Sequence, residues 1–313
     1  MDPNQSLSNV IIYTSTLYGD DETSKTRSEL CLNMLRNAEN LGVKVVVKDS
    51  GSNEKFLNAV AGMSNIILVQ NEPGGERKSM GNDRRGALEK AMQIAEQEKI
   101  EHPCFFWTEP EKDNLISAEN LSEMASEIAK GSNIVVPARK AEALETLPKI
   151  QRWFEQRANK RSLKVMEEAT DGRHHELLDL WFGPKMFDSE GAKYFTEYNK
   201  DNDRTDLWDA IIVPVTKATK DGKKVSSVPV EYKYGIEEPL ELKRLEQYAQ
   251  ILREMGDKKW VEFFEEANEE LAAMREVKKE LKADPRNAEL TGQEKKLKTE
   301  IVKKFQNWEK IGK

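Results

Sequence analysis

Over the first 140 residues, short apolar runs rich in β-branched residues alternate with stretches of helical periodicity. Buried parallel strands read as continuous apolar runs, and crossover helices between them cover both faces of the sheet. The alternation therefore predicts an α/β fold with a mostly parallel twisted sheet and flanking helices. The five strands predicted from these runs cover residues 9–15, 43–52, 65–71, 103–107 and 133–140.

A change of composition near Gly235 divides the chain. Residues 1–235 continue the strand-and-helix pattern and form the predicted main domain. Residues 236–313 are charged and carry apolar residues at helical spacing, which predicts a helical C-terminal extension. Four aromatic residues of this extension are predicted to pack on the main domain, whereas an exposed stripe of them would predict a homodimer: Trp260, Phe263, Phe264 and Trp308.

The composition argues against two classes of partner. With a net charge of −7 the chain lacks the basic excess of a phosphate-backbone binder, so no nucleic acid is expected. No run of 18 apolar residues occurs and no signal-peptide pattern opens the sequence, so we expect no membrane span and a cytoplasmic location. Cys31 and Cys104 lie within apolar patterns and are predicted to be reduced core thiols.

Small polar and acidic residues follow the predicted strands. Ligands of open α/β sheets bind outside the carboxyl ends of the strands, so these residues are the candidates for a nucleotide site. Those after the first two strands are Thr14, Ser15, Asp49 and Ser50. A carboxylate there can accept hydrogen bonds from a ribose or base. The alternative is that Asp-Ser-Gly-Ser is an ordinary turn.

Paired acids end the fourth predicted strand, in the stretch HPCFFWTEPEKD. Glu109 and Glu111 at this position could hold a divalent cation, Mg²⁺ or Mn²⁺, that bridges the phosphates of a bound diphosphate. A solvated turn is the alternative, and the place directly after an apolar strand favours the functional interpretation.

A glycine-rich basic loop, GGERKSMGNDRRG (74–86), precedes a predicted helix. Lys78, Arg84 and Arg85 are the cations expected if this loop neutralises a diphosphate, because arginine can engage phosphate through two parallel hydrogen bonds. The loop lacks the Gly-Lys-Ser/Thr of a P-loop, and an exposed flexible loop is the alternative.

The order of these motifs resembles the GT-A class of glycosyltransferases, over residues 9–234. The resemblance is carried by KDSGS (48–52), MGNDRRGALEKA (80–91), FFWTEPEKD (105–113), DLWFGPKMF (179–187) and the segment 207–234. Mannosylglycerate and glucosyl-3-phosphoglycerate synthases look most similar, and dolichol-phosphate-mannose synthase looks less so. The resemblance implies a metal-binding, nucleotide-sugar-dependent transferase acting on a small or soluble acceptor.

The resemblance also implies roles for the later residues. Asp209 would orient the acceptor hydroxyl or remove its proton, and Asp206 competes for that role. The alternative for Asp209 is a first-turn helix acid. Trp181 and Gly183 would lie on the acceptor side, with Trp181 stacking on a sugar, although a core position is the alternative for the tryptophan.

Two departures from the class matter for the prediction. Glu-Pro-Glu replaces the Asp-x-Asp metal motif, and the end of the domain offers no histidine as a third ligand, since His174 and His175 lie upstream. A catalytically silent nucleotide- or partner-binding protein therefore remains a rival. A sugar nucleotidylyltransferase is a second rival, but TSTLYGDDETSK lacks the glycine-rich, arginine-containing loop it needs after the first strand. If Glu111 binds metal, Glu111→Ala should abolish turnover.

Overall fold

The computed structural model describes residues 7–71, 79–147, 149–198 and 208–233, and toward the end residues 273–274, 276–277, 279–281, 284 and 287–311. The chain separates into two compact units, Met1–Glu238 and Pro239–Lys313. The boundary predicted near Gly235 lies outside the described residues, as do Trp260, Phe263 and Phe264. The predicted division into domains and the homodimer stay predictions.

The described part of the first unit contains strands and helices in alternation. The strands are β1 (Val10–Thr16), β2 (Lys44–Asp49), β3 (Ile66–Gln70), β4 (Cys104–Trp107), β5 (Ile134–Arg139), β6 (Lys185–Phe187) and β7 (Val225–Val230). The helices are α1 (Glu22–Asn40), α2 (Glu54–Ala61), α3 (Met80–Gln97), α4 (Ala118–Ala129), α5 (Ala141–Glu145), α6 (Lys149–Ala169), α7 (Ser189–Thr196) and α8 (Asp209–Lys220). Short 3₁₀ turns lie at Asp113–Leu115 and Leu180–Phe182, and the second unit contributes α9 (Ala288–Ile311).

The strands form one seven-stranded mixed sheet in the order β3-β2-β1-β4-β6-β5-β7. β6 runs antiparallel to β4 and β5, whereas the other neighbouring pairs are parallel. This arrangement confirms the predicted α/β class and the GT-A-like, mostly parallel sheet with flanking helices.

The direction of winding changes at β1, which has β2 on one side and β4 on the other. Such a switch point opens a crevice beyond the carboxyl ends of the two strands that flank it. In this chain the crevice lies between the loop after β1 and the loop after β4, which contains Glu109 and Glu111.

Local sequence explains where several helices begin. Asp21, Asn53 and Ser117 each accept a hydrogen bond from a backbone N–H of the first turn, at the starts of α1, α2 and α4. Helices then cover both faces of a sheet whose central strands are fully buried, which places the apolar core on either side of β1 and β4. Among the described helices, none combines the length and apolarity needed to cross a bilayer.

Candidate functional site

Hydrogen bonds join the loops at the carboxyl edge of the sheet. The backbone N–H of Tyr18, just after β1, donates to Ser52 Oγ at 3.0 Å, and the Tyr18 hydroxyl donates to Glu111 Oε1 at 3.1 Å. Ser50 Oγ donates to Asp83 Oδ2, on α3, at 2.7 Å. Four segments therefore meet at the switch point: the ends of β1, β2 and β4 and the start of α3. We call this group of segments the polar edge.

Thr14 and Ser15 lie inside β1, because the strand continues to Thr16. The prediction that they form the loop after this strand is wrong. Thr14 is fully buried and its hydroxyl donates to the Thr108 carbonyl at 2.8 Å, which ties β1 to the end of β4. Leu17, the residue directly after β1, is 44% exposed.

Asp49 holds the turn after β2. Its Oδ1 accepts from the Thr16 hydroxyl at 2.8 Å, and its Oδ2 accepts from the backbone N–H groups of Gly51 and Ser52, each at 2.9 Å. Asp49 is only 1% exposed, so its carboxylate stabilises the turn from the buried side. The residues that this turn presents outward are Ser50 and Gly51.

The two arginines of α3 point inward. Arg84 and Arg85 are 5% and 6% exposed. The Arg84 guanidinium carbon lies 4.8 Å from the centre of the Trp107 ring, and Arg85 Nη1 donates to the Tyr198 carbonyl at 2.9 Å. The structure therefore does not bring these arginines to the polar edge where a diphosphate was predicted, and Lys78 lies outside the described residues.

Glu111 is paired with an arginine that is distant in sequence. Its Oε1 accepts from Arg27 Nε at 2.9 Å, and Arg27 Nη2 lies at the same distance from that oxygen. Arg27 extends from α1, and its side chain is 48% exposed, whereas that of Glu111 is 15% exposed. The carboxylate is therefore covered by protein while the arginine stays open to solvent.

Glu109 turns toward the segment that precedes β6. Lys112 Nζ lies 3.2 Å from Glu109 Oε2 and forms an ion pair with it. In the described part of the chain, neither carboxylate oxygen of Glu109 accepts a hydrogen bond. A Cβ added to Gly183 would stand 2.8 Å from Glu109 Cδ. Gly183 also has φ of +101°, a backbone conformation that favours glycine, and an added Cβ would push the Glu109 carboxylate aside.

The two acids of the predicted metal motif do not converge in this structure. A Mg²⁺ ion bound with a nucleotide uses one or two carboxylates that face the same point, and the substrate phosphates supply further oxygens. Glu109 and Glu111 instead face different neighbours, and each already has a cation of its own. Among the described residues, no three His, Cys, Asp or Glu side chains are grouped so that they could hold a metal ion.

Lys185, the first residue of β6, supports the Gly183 turn. It has no exposed surface, and its Nζ donates to the carbonyls of Leu180 and Gly183 at 3.1 and 2.8 Å. Burial lowers the pKa of Lys185 to about 7, although the nearby Glu109 and Asp179 carboxylates act in the opposite direction.

A buried ion pair lies beside this lysine. Arg139 donates to Asp179 through Nε at 2.7 Å and Nη2 at 2.8 Å, and to Glu155 through Nη1 at 2.6 Å. Burial opposes ionisation of Asp179, but the Arg139 charge and its hydrogen bonds outweigh burial and lower the pKa of Asp179. Buried charges thus fix the segment that carries Trp181 and Gly183.

Trp181 occupies the core and not an open sugar subsite. It is 7% exposed, and its backbone N–H donates to Asn159 Oδ1 at 3.3 Å. The structure therefore favours the core alternative for this residue, because a ring must present an open face to stack on a sugar.

Asp209 is the first residue of α8 and is 3% exposed. Its Oδ2 accepts from the Tyr198 hydroxyl at 2.9 Å, and the carbonyl of the same tyrosine accepts from Arg85. Tyr198 therefore joins α3 to α8 through both its backbone and its side chain. Asp206 lies outside the described residues.

Comparison with known proteins gives a likeness of fold. No family model and no curated protein matches the chain. Among solved structures, the glucosyl-3-phosphoglycerate synthase of M. tuberculosis is 12% identical, with a TM-score of 0.48 over 80% of this chain and 78% of that one. A mannosyltransferase from Pyrobaculum calidifontis, in complex with GDP-Man and Mn²⁺, is 16% identical, with a TM-score of 0.47 over 79% of this chain and 62% of that one.

A nucleotidyltransferase-like structure is also similar in fold. The 4-diphosphocytidyl-2C-methyl-D-erythritol synthase from Anaerococcus prevotii is 10% identical, with a TM-score of 0.42 over 79% of this chain and 98% of that one. At these identities the three likenesses concern the fold alone.

Sequence reasoning missed the partners of the predicted residues: Tyr18, Arg27, Lys112, Lys185 and Tyr198. For Lys185 a signal existed, because a lysine within the apolar stretch WFGPKMF is a polar group that must find buried acceptors. Arg27 carried no comparable signal, since it looks like any other charged residue of a helical stretch.

Proposed function

We propose that this chain is a nucleotide-sugar-dependent glycosyltransferase that transfers a sugar from a nucleotide-diphosphate donor to a small or soluble acceptor. One observation carries the proposal: the loops after β1, β2 and β4 are joined by hydrogen bonds at the switch point of the sheet. An open α/β sheet binds its ligand at this place.

In the proposed donor site the nucleoside lies over the ends of β1 and β2. Leu17 offers an exposed apolar side chain to a base, and the turn held by Asp49 offers Ser50 and Gly51 to a ribose. The diphosphate then extends toward the loop after β4. Asp49 acts in this proposal by keeping the turn in shape.

Asp209 is the proposed acceptor residue. The Tyr198 hydroxyl fixes the direction of its carboxylate, and the role proposed for Asp209 is to orient an acceptor hydroxyl or take its proton. Gly183, which lies against the Glu109 carboxylate, is the second residue proposed for the acceptor side.

The expected effect of Asp209→Asn is a fall in kcat of about 10²–10⁴-fold, the usual contribution of a general base, with donor affinity unchanged. Asp221→Asn is the matched control, because Asp221 lies just after the other end of α8 and accepts from the Tyr194 hydroxyl at an exposed position. Equal losses in the two variants would remove Asp209 from the proposal.

A second candidate is a catalytically silent protein that binds nucleotide. The pairing of Glu109 and Glu111 with Lys112 and Arg27 favours it, because the carboxylates at the position of the metal motif are already neutralised. A nucleotidylyltransferase is not proposed, since the loop after β1 lacks the glycine-rich, arginine-containing segment.

A thermal-shift panel of UDP-, GDP- and ADP-sugars, each with Mn²⁺ and with EDTA, tests donor binding. A ligand at 100 times its Kd stabilises the folded protein by about 2.7 kcal/mol, which a melting curve resolves. We expect one nucleotide class to stabilise the protein well above the other two. If no donor raises the Tm in either condition, the proposal is refuted.

A further inference from the structure

We propose that Arg27 binds the donor diphosphate directly and supplies the positive charge that a divalent metal would otherwise supply. This inference rests on the proposed function and deepens it, because it concerns the same edge of the sheet. In the structure Arg27 is held by Glu111; on donor binding its guanidinium passes from the carboxylate to the phosphate oxygens.

Arg27 lies beside the loop that follows β4. Arg27 lies one turn into α1, yet its side chain reaches the loop after β4, where the Tyr18 hydroxyl meets the same Glu111 oxygen. The guanidinium therefore lies at the switch point between β1 and β4. This is the crevice into which the proposed donor extends its diphosphate.

Accessibility separates Arg27 from four other cations near the site. Arg84 and Arg85 are almost fully buried in contacts with the interior. Lys185 has no exposed surface, and the Arg139 side chain has none either. Arg27 is 48% exposed, so a ligand can reach it without any change in the core.

The geometry of the ion pair leaves the guanidinium able to bind phosphate. Both close nitrogens of Arg27, Nε and Nη2, are directed at one oxygen of Glu111. In the described part of the chain Nη1 contacts no partner. A guanidinium with a free edge can grip phosphate through two parallel hydrogen bonds, and a diphosphate offers more charge than one carboxylate.

Lys112 completes the arrangement. It forms an ion pair with Glu109 and lies 5.3 Å above the Phe182 ring, so a second cation stands in the same loop. Together Arg27 and Lys112 neutralise the two glutamates that the sequence suggested as metal ligands. A divalent ion bound by these two glutamates would have to replace both ion pairs.

Calorimetric titration of UDP, GDP and ADP into the full chain, in EDTA and in Mn²⁺, tests the inference. We expect the diphosphate of one base to bind in EDTA with an affinity within about twofold of that in Mn²⁺. Arg27→Met should weaken this binding by about tenfold or more, as expected for the loss of a charge-assisted pair of hydrogen bonds. Arg36→Met is the matched control, because Arg36 is exposed on the same helix, where its Nη1 donates to Asn33 Oδ1; the change should leave the affinity unchanged.

The Glu111→Gln variant distinguishes phosphate binding by Arg27 from metal binding by Glu111, because the two predict opposite changes in diphosphate affinity. If Arg27 binds the diphosphate, removing the competing carboxylate charge preserves or tightens binding in EDTA. If Glu111 is a metal ligand, the same change weakens binding in Mn²⁺, and binding in EDTA is absent from the start.

Three outcomes are therefore distinct. Metal-free binding that Arg27→Met weakens by about tenfold or more supports the inference. Binding that requires Mn²⁺ overturns the inference but leaves the proposed glycosyltransferase function standing. Failure of all three diphosphates to bind in either condition overturns both.

Discussion

The two halves of the sheet satisfy their buried carboxylates in different ways. Beside β1 and β2, Asp49 is held by a hydroxyl and two backbone N–H groups, all from neutral donors. Beside β5 and β6, Asp179 is held by the guanidinium of Arg139, with Lys185 buried close by. The proposed donor half is therefore built from turn chemistry, whereas the proposed acceptor half is built from buried charges.

The difference has a consequence for stability. A hydrogen bond from a neutral donor to a carboxylate contributes about 1.5–3 kcal/mol, and loss of the Asp49 carboxylate leaves only neutral donors without this partner. Removing one member of a buried ion pair leaves an uncompensated charge in the interior. We therefore expect the acceptor half to tolerate single changes less well than the donor half.

The largest expected effect is that of Asp179→Ala. It leaves the Arg139 guanidinium buried with only part of its partners, so we expect the free energy of unfolding to fall by about 3–5 kcal/mol. Urea unfolding followed by circular dichroism measures this quantity. Asp49→Ala is the comparison on the donor half, with an expected loss of about 1–3 kcal/mol. If the two variants lose the same free energy of unfolding, the expected difference in tolerance between the two halves of the sheet is wrong.

Gly183→Ala comes next. Its Cβ would overlap the Glu109 carboxylate and the residue would need φ of +101°, so we expect a loss of about 2–5 kcal/mol from overpacking and backbone strain together. The double variant Gly183→Ala/Glu109→Ala should recover the overpacking part. Gly222→Ala is the control for backbone strain alone, because Gly222 has φ of +79° and open space around its Cβ. A double variant as unstable as the single one would show that the carboxylate contact is unimportant.

The smallest of these effects is a pH dependence. Burial lowers the pKa of Lys185 to about 7, against about 10.4 for an unfolded lysine. Below pH 7 both states carry the proton; above it the folded state loses the proton first, so stability rises with pH. Between pH 7 and 8.5 this gain is about 1–2 kcal/mol and should be missing in Lys185→Met. Denaturant unfolding at several pH values measures this change in the free energy of unfolding.

Lys130→Met is the control, because Lys130 is exposed; its stability should depend on pH as that of the unmodified chain does. The same pH dependence in Lys185→Met would contradict the assignment of the effect to Lys185.

The sequence predicts the sheet better than the site, for identifiable reasons. Continuous apolar runs locate β1 to β5, because burial on both faces leaves a local signature. The end of β1 is set by a neighbour instead: Thr16 pairs with Asp49 of β2, which extends the strand past Thr14 and Ser15. The local sequence pattern therefore does not predict the end of β1, because this end depends on pairing with β2.

Side-chain direction and long-range pairing account for the remaining differences. Arg84 and Arg85 look like phosphate ligands in a basic loop, but helical geometry turns them toward Trp107 and Tyr198. The pairing of Arg27 with Glu111 joins residues 84 positions apart. No local pattern predicts such a contact, and it changes how the Glu-Pro-Glu motif is interpreted.

The most direct test of the proposed function is transfer from a labelled donor. The purified chain is incubated with a sugar-labelled donor of the base class that stabilises it and with a panel of small soluble hydroxyl compounds as acceptors. The account predicts release of the nucleoside diphosphate together with a labelled product, both lost in Asp209→Asn and kept in Asp221→Asn. Binding of the donor with neither product nor release would contradict it and identify a silent nucleotide-binding protein.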